Sequence, residues 1–135
     1  MNQKFASRAG EKLRFAFNSF SISPKDLICA DFGSSTGGFV DCLLQNGAQK
    51  VYSVDVSYGE LAWTLRNDPR VVVIERTNAL HVVLSEKVDL LTIDTGWTKQ
   101  ILILQNALKN IKEDGRIISL IKPHYESPKE FLEKG

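Results

Sequence analysis

Residues able to do chemistry collect where apolar runs of the chain give out. Asp31 lies near the end of 27–32, Asp55 near the end of 51–56, Thr77 and Asn78 just after 71–74, Asp94 just after 88–93 and Lys122 just after 117–121. A carboxylate in such a place accepts paired hydrogen bonds from a vicinal diol or faces a cation. A side-chain amide can read a purine edge, and a lysine can hold or give up a proton. From the first of these acids runs the stretch Asp31-Phe32-Gly33-Ser34-Ser35-Thr36-Gly37-Gly38-Phe39. Small residues at 33, 35, 37 and 38 let the backbone turn sharply and approach a ligand, and the N–H groups opening the following helix can hold an anion. This is the pattern of a nucleotide-type cofactor loop. Glycine-rich turns also arise for structural reasons alone, so the surrounding elements must decide.

Those elements alternate. After Ser7, a suitable N-cap, Leu13, Ala16, Phe17 and Phe20 recur at i, i+3, i+4 and i+7 and predict a helix with one buried stripe. Lys12 lies beside that stripe, where a lysine ordinarily runs its stem along apolar surface and leaves its ammonium in water. Pro24 ends the segment, and 27–32 suits a buried parallel strand. Phe39, Val40, Leu43 and Leu44 give the helix after the loop its inward face, with Gly47 placed for a left-handed cap. The second strand, 51–56, carries Asp55 22 residues after Gly33. Dinucleotide-binding folds set a ribose-binding carboxylate at roughly 20 residues, although an Asp can also end a strand merely to cap the next helix. A helix over 59–66 presents Leu61, Ala62 and Leu65 and stops at Asp68-Pro69, before the third strand, 71–74. Asn78 suits an adenine edge and nearly as well an ordinary turn, while His81, among Leu80, Val82 and Val83, reads as a core-edge residue. After the fourth strand, 88–93, comes a long helix with Leu104, Ala107, Leu108 and Ile111 at helical spacing, and Asp114-Gly115 turns the chain into the fifth strand, 117–121. Ser127-Pro128-Lys129-Glu130 starts another helix. Five strands alternating with helices predict a doubly wound, Rossmann-like α/β sheet of order 3-2-1-4-5. One domain spans 1–135, a helical segment over 1–23 preceding an α/β core over 24–135.

The composition agrees with one domain and excludes other classes. Of 135 residues 43% are apolar, enough for a core, and 17 basic residues against 16 acidic ones leave no global field for nucleic acid. A local excess exists at the start, where Lys4, Arg8, Lys12 and Arg14 face Glu11; a solvated helix face is its ordinary explanation. Cys29 and Cys42, without a CxxC or a nearby histidine, read as free thiols in a reducing cytosol, and no metal site is expected. No apolar run reaches membrane-spanning length, and residues 1–7 lack a signal-peptide core, so the sequence reads as soluble and cytoplasmic, with no membrane partner.

Asp31 selects the cofactor. Gly33, Ser35 and Gly38 meet a nicotinamide fingerprint only with serine at its centre, and Asp31, Gly33, Ser35 and Gly37 meet the acid-x-G-x-G-x-G pattern with the same substitution. A carboxylate at 31 would repel a pyrophosphate but can face the ammonium of a methionine moiety, which favours S-adenosyl-L-methionine. The expected cofactor contacts are Asp31, Gly33, Ser35, Thr36, Gly37, Gly38, Phe39, Asp55, Val56, Thr77, Asn78 and Asp94.

Ser7-Arg8-Ala9-Gly10-Glu11-Lys12-Leu13, the loop 31–39, Asp55-Val56-Ser57-Tyr58-Gly59-Glu60-Leu61-Ala62-Trp63, Leu65-Arg66-Asn67-Asp68-Pro69-Arg70-Val71, Glu75-Arg76-Thr77-Asn78 and Leu120-Ile121-Lys122-Pro123 together resemble the TlyA (haemolysin A) group of FtsJ-like RNA methyltransferases. The resemblance covers nearly the whole chain. It implies methylation of ribose 2′-hydroxyls in ribosomal RNA, with ribosomal RNA or a ribosomal subunit as partner. It also implies a Lys-Asp-Lys-Glu tetrad whose matching residues here are Lys12, Asp94 and Lys122. In that scheme Lys122 meets the target hydroxyl, the ammonium of Lys12 lowers its pKa, and Asp94 holds the cluster. The resemblance places the final tetrad glutamate beyond residue 135, Glu126 matching a different acid of the family, and it places further strands and a small RNA-binding module outside this chain. Asp94-Thr95-Gly96-Trp97-Thr98 also departs from the family's Asp-x-Ser-Phe-x-Ser. The resulting expectations are a methyltransferase or, as the alternative, a domain that binds cofactor and RNA without turnover. The exposed edge of the fifth strand suits a fragment, a split gene product or a self-associating domain.

Overall fold

The computed structural model describes residues 4–94 and 100–120. Strand β1 (Ile28–Phe32) lies at the centre of a parallel sheet, pairing with β2 (Lys50–Val54) on one side and β4 (Val88–Ile93) on the other. Strands β3 (Val71–Ile74) and β5 (Ile111–Ser119) complete the expected order, β3-β2-β1-β4-β5. All four pairings are parallel. Both faces of the middle strands are therefore buried, which is why they read as unbroken apolar runs instead of alternating ones.

Helix α1 (Ala9–Phe20), α2 (Gly38–Gln45) and the short α3 (Trp63–Arg66) cover one face, where Leu13, Phe17, Phe39, Val40, Leu43 and Leu65 share a core with Cys29 and Leu90. On the other face α4 (Gln100–Asn110) and the connection 79–84 pack on Phe32, Val54, Leu91 and Ile93. Cys29 and Cys42 are both buried, and neither is in a disulfide.

Several local expectations are corrected. Ser7 does not cap α1 through its side chain; Arg8 holds the N-cap position, and the carbonyl of Ser7 accepts the Gly10 N–H at 3.2 Å. Phe20 is exposed, because α1 already turns into the left-handed conformation at Ser21, ahead of Pro24. The helix expected over 59–66 shrinks to α3, since Gly59 takes φ 78° and the segment before it is held as a turn. His81 is exposed. In β5 the expected Asp114-Gly115 turn survives as a bulge: Val88 pairs with Ile111 and Leu90 with Arg116, so 112–115 loop out of the ladder.

The largest correction concerns α4, which is rotated from the stripe expected of it. Ile103 and Ala107 face the core together with Asn106 and Asn110, whereas Leu104 and Leu108 are exposed. The connection 79–84 contains no helix among its residues, and its buried backbone groups need partners. Asn106 Nδ2 donates to the carbonyls of Ala79 and Val82 at 2.8 and 2.9 Å, and Asn110 Oδ1 accepts the Leu84 N–H at 2.9 Å. Satisfying those groups outweighs burying two more leucines.

Candidate active site

At the carboxyl ends of β1 and β4 lies a cleft of about 200 Å³, lined by Ser7, Ala9, Asp31, Gly33, Ser34, Ser35, Thr36, Gly38, Phe39 and Asp94. Its floor is the loop between β1 and α2. The backbone there is left-handed at every second residue, with φ 87° at Gly33, 52° at Ser35 and 107° at Gly37. This alternation is the physical reason for the small residues at those positions, since a side chain in the left-handed region costs about 1–2 kcal/mol. Ser35 tolerates it by two hydrogen bonds, its N–H to Asp55 Oδ2 at 3.0 Å and its hydroxyl to Glu60 Oε1 at 3.2 Å. Gly38 is small for a different reason. A Cβ there would collide with Ser7 Oγ and reach 2.9 Å from the Gly10 nitrogen, so the N-terminal segment rests directly on the start of α2.

The loop binds anions less readily than its sequence suggests. The N–H groups of Gly33 and Ser34 donate to the Val54 carbonyl at 2.7 and 3.1 Å, that of Ser35 to Asp55, and that of Gly37 to the Ser34 carbonyl at 2.9 Å. What faces a ligand is the first turn of α2 and two carboxylates, Asp31 and Asp94. Among the described residues the cleft carries no basic side chain.

Asp31 is the most perturbed group of the cleft. It is 1% exposed, and its Oδ1 accepts the Thr92 hydroxyl at 2.7 Å across the β1–β4 ladder. Among the described residues its buried Oδ2 accepts no hydrogen bond. Burial raises its pKa to about 7, the hydroxyls of Thr92 and Ser34 pull it back, and the neighbouring charges of Asp94 and Asp55 push it further up. A cation at this carboxylate would supply what burial removed.

Asp55 stands at the end of β2 and is already engaged. Its oxygens accept the Ser35 N–H at 3.0 Å, the Val56 N–H at 3.0 Å and the Ser57 hydroxyl at 2.5 Å. Beyond it Val56 is exposed, so an apolar surface for a flat ring adjoins a carboxylate for a diol. The β2–β3 ladder continues past both strands, the Asp55 N–H donating to Ile74 and the Thr77 N–H to Asp55, each at 3.0 Å. Glu75 adds a brace: Arg66 grips it with both guanidinium nitrogens at 3.0 and 2.7 Å, and it accepts the Gly59 N–H at 2.6 Å. The Arg66 guanidinium and the Gly59 N–H hold its carboxyl down at about 2.

The structure thus brings Asp31, Gly33, Ser35, Thr36, Gly38, Phe39 and Asp94 to one cleft, with Gly37 as the N-cap of α2 and Asp55 joined through Ser35. Val56, Thr77 and Asn78 are not among the residues that line the cleft; Val56 follows Asp55 in the chain, and Thr77 meets Asp55 through its N–H. The turn explanation holds for the carbonyl of Asn78, whose Oδ1 accepts the Leu80 N–H at 2.8 Å. Lys12 is exposed on α1, about one turn past the cleft residue Ala9, and Lys122 lies outside the described residues. Ser7, Ala9 and Thr92 were not anticipated. The threonine was findable as the one hydroxyl in an otherwise apolar half-strand, facing Asp31 in the register. A larger cavity of about 290 Å³ opens at the opposite end of the sheet, but of its two acids, Asp89 and Asp114, the first is already held by the Ile28 N–H and by Lys112, each at 2.9 Å.

The chain is 41% identical over 138 residues to hemolysin A of Brachyspira hyodysenteriae, covering 99% of this chain and 58% of that protein. It is 42% identical over 125 residues to the 16S/23S rRNA (cytidine-2′-O)-methyltransferase TlyA of Mycobacterium tuberculosis, covering 90% of this chain and 47% of that one. The chain therefore spans about half the length of the curated relatives it matches. A solved structure named as a hemolysin from Streptococcus thermophilus superposes with a TM-score of 0.88 at 36% identity, over 96% of this chain and 49% of that one. The fibrillarin/Nop5p complex shares the fold alone, at a TM-score of 0.62 and 22% identity. A family model described as FtsJ-like methyltransferase matches residues 5–135, and the chain belongs to that family.

Proposed function

We propose that this chain is an S-adenosyl-L-methionine-dependent methyltransferase domain acting on ribose 2′-hydroxyls of ribosomal RNA. The observation that carries the cofactor assignment is Asp31: a buried carboxylate with one oxygen unpartnered among the described residues, in a cleft without a described base, suits a cationic ligand and not a pyrophosphate. The chain's own groups fit the rest of the cofactor. Asp31 would face the methionine ammonium, the first turn of α2 its carboxylate, Asp55 the ribose diol, and Val56 with Thr77 and Asn78 the adenine. Adenosylmethionine, when bound, supplies an electrophilic methyl group on a sulfonium.

The substrate reading is supported by the relatives named as ribosomal RNA cytidine-2′-O-methyltransferases. A ribose hydroxyl is a weak nucleophile, so the residues around it must orient it and take its proton. Lys122 is assigned to the hydroxyl, Lys12 to lowering its proton affinity by like-charge repulsion, and Asp94, which lines the cleft, to holding both. A ribosomal substrate supports a cytoplasmic protein. The test is methyl transfer from labelled adenosylmethionine to isolated ribosomal subunits, run beside Lys122→Ala. Label in RNA from the wild type and none from the variant is expected. Cofactor binding without transfer would establish the non-catalytic alternative.

A further inference from the structure

Resting on the RNA-methyltransferase reading, we infer that the outer face of α1 is a track for single-stranded RNA leading to the cleft. Arg8, Lys12, Phe15 and Ser19 are spaced at i, i+4, i+7 and i+11 and form one stripe on the side opposite the buried Leu13 and Phe17. All four are exposed, and Phe15 is exposed to 72%. The helix needs no aromatic residue there for its own packing, because Leu13 and Phe17 already anchor it to the core of α2. Glu11, the acid on this side, lies 3.9 Å from Arg14, so the stripe itself presents two cations, Lys12 and Arg8, on the N-terminal side of an aromatic ring.

That combination has one matching chemistry. A ring in water with cations ahead of it on the same face stacks a base while the cations take phosphates, which is how sequence-tolerant single-strand binding works. A purely apolar protein partner would be served by the ring alone and has no use for cations one and two turns away. The position fits the direction of travel as well. Ser7 and Ala9 line the cleft on either side of Arg8, so a strand stacked on Phe15 and running toward the N-terminus of α1 reaches the cleft mouth within about two helical turns.

The test uses the whole chain and a fluorescein-labelled uridine oligonucleotide of about 12 residues, followed by anisotropy over a salt series. Phe15→Ala is expected to weaken binding by about 5-fold or more, Phe15→Trp to restore it, and Phe15→Leu to behave like alanine. Arg8→Gln should reduce the slope of log affinity against log salt by about 0.7. Calorimetric affinity for adenosylmethionine is expected to stay unchanged in the Phe15 variants, which also shows that they remain folded. The inference is overturned if the wild type has no measurable affinity for the oligonucleotide, or if Phe15→Leu binds it as tightly as phenylalanine does. Methyl transfer to ribosomal subunits at an unchanged KM in Phe15→Ala would overturn the track and leave the enzymatic reading standing. Failure of the enzymatic reading appears separately, as wild-type protein that binds the oligonucleotide and transfers no label.

Discussion

Replacing Asp31 by asparagine should stabilise the protein at high pH while weakening its hold on a cationic cofactor. The carboxyl is raised from 3.8 to about 7 in the folded state. Between those values the folded protein binds the extra proton, so this group's contribution to stability falls as pH rises through that window and is fully unfavourable above it. About three pKa units correspond to roughly 4 kcal/mol. Asparagine keeps an oxygen to accept the Thr92 hydroxyl, bonded at 2.7 Å in the wild type, but introduces a buried NH₂. Leaving that donor without a partner costs about 1–3 kcal/mol. The net expectation is that Asp31→Asn is more stable by about 1–3 kcal/mol at pH 8 and less stable at pH 4, with the curves crossing between. Urea unfolding at a series of pH values measures this directly. In the same series, adenosylmethionine binding to the wild type should weaken about 10-fold from pH 8 to pH 6, because the cation selects the ionised carboxylate, and this dependence should vanish in the variant. An asparagine variant that is less stable than the wild type at pH 8 would refute the reasoning, since it would mean that ionising Asp31 costs the fold little.

Gly38→Ala should cost about 1–3 kcal/mol in thermal unfolding, because its Cβ would drive Ser7 and Gly10 off α2; Gly59→Ala, with nothing within 4 Å, should lose only the backbone term of about 1 kcal/mol. Glu75→Gln releases the Arg66 and Gly59 brace and is expected to lower cofactor affinity, seen by calorimetry, while leaving the pH midpoint set by Asp31 in place. Burial pushes the thiols of Cys29 and Cys42 up to about 12, so a disulfide-exchange reagent should find neither in native protein and both in urea. The outer face of α4 exposes Ile101, Leu102, Leu104 and Leu108, and β5 ends the described sheet, so sedimentation should show concentration-dependent self-association that Leu102→Lys reduces.

The layout of the fold and the position of the cleft were legible in the residues. Strands buried on both faces appear as short apolar runs, parallel connections follow a narrow set of topologies, and ligand-binding polar residues end those runs, so Asp31, Asp55 and Asp94 could be placed at one edge before any coordinates. These signals are local and repeat along the chain. What the tertiary structure decided depended on groups far apart in sequence. The face α4 turns inward is set by the unpaired carbonyls of Ala79 and Val82, which Asn106 satisfies across more than 20 residues. Ser35 can stand where a glycine is expected because Asp55 and Glu60 hold it there. Asp31 became a proton-sensitive carboxylate because the packed sheet buries it, and Thr92, 61 residues away in sequence and 2.7 Å away in space, offsets that burial only in part. Period and composition report which side chains want to leave water, but a buried polar group takes whatever partner the packed chain brings to it. That matching is settled only when the distant strands meet.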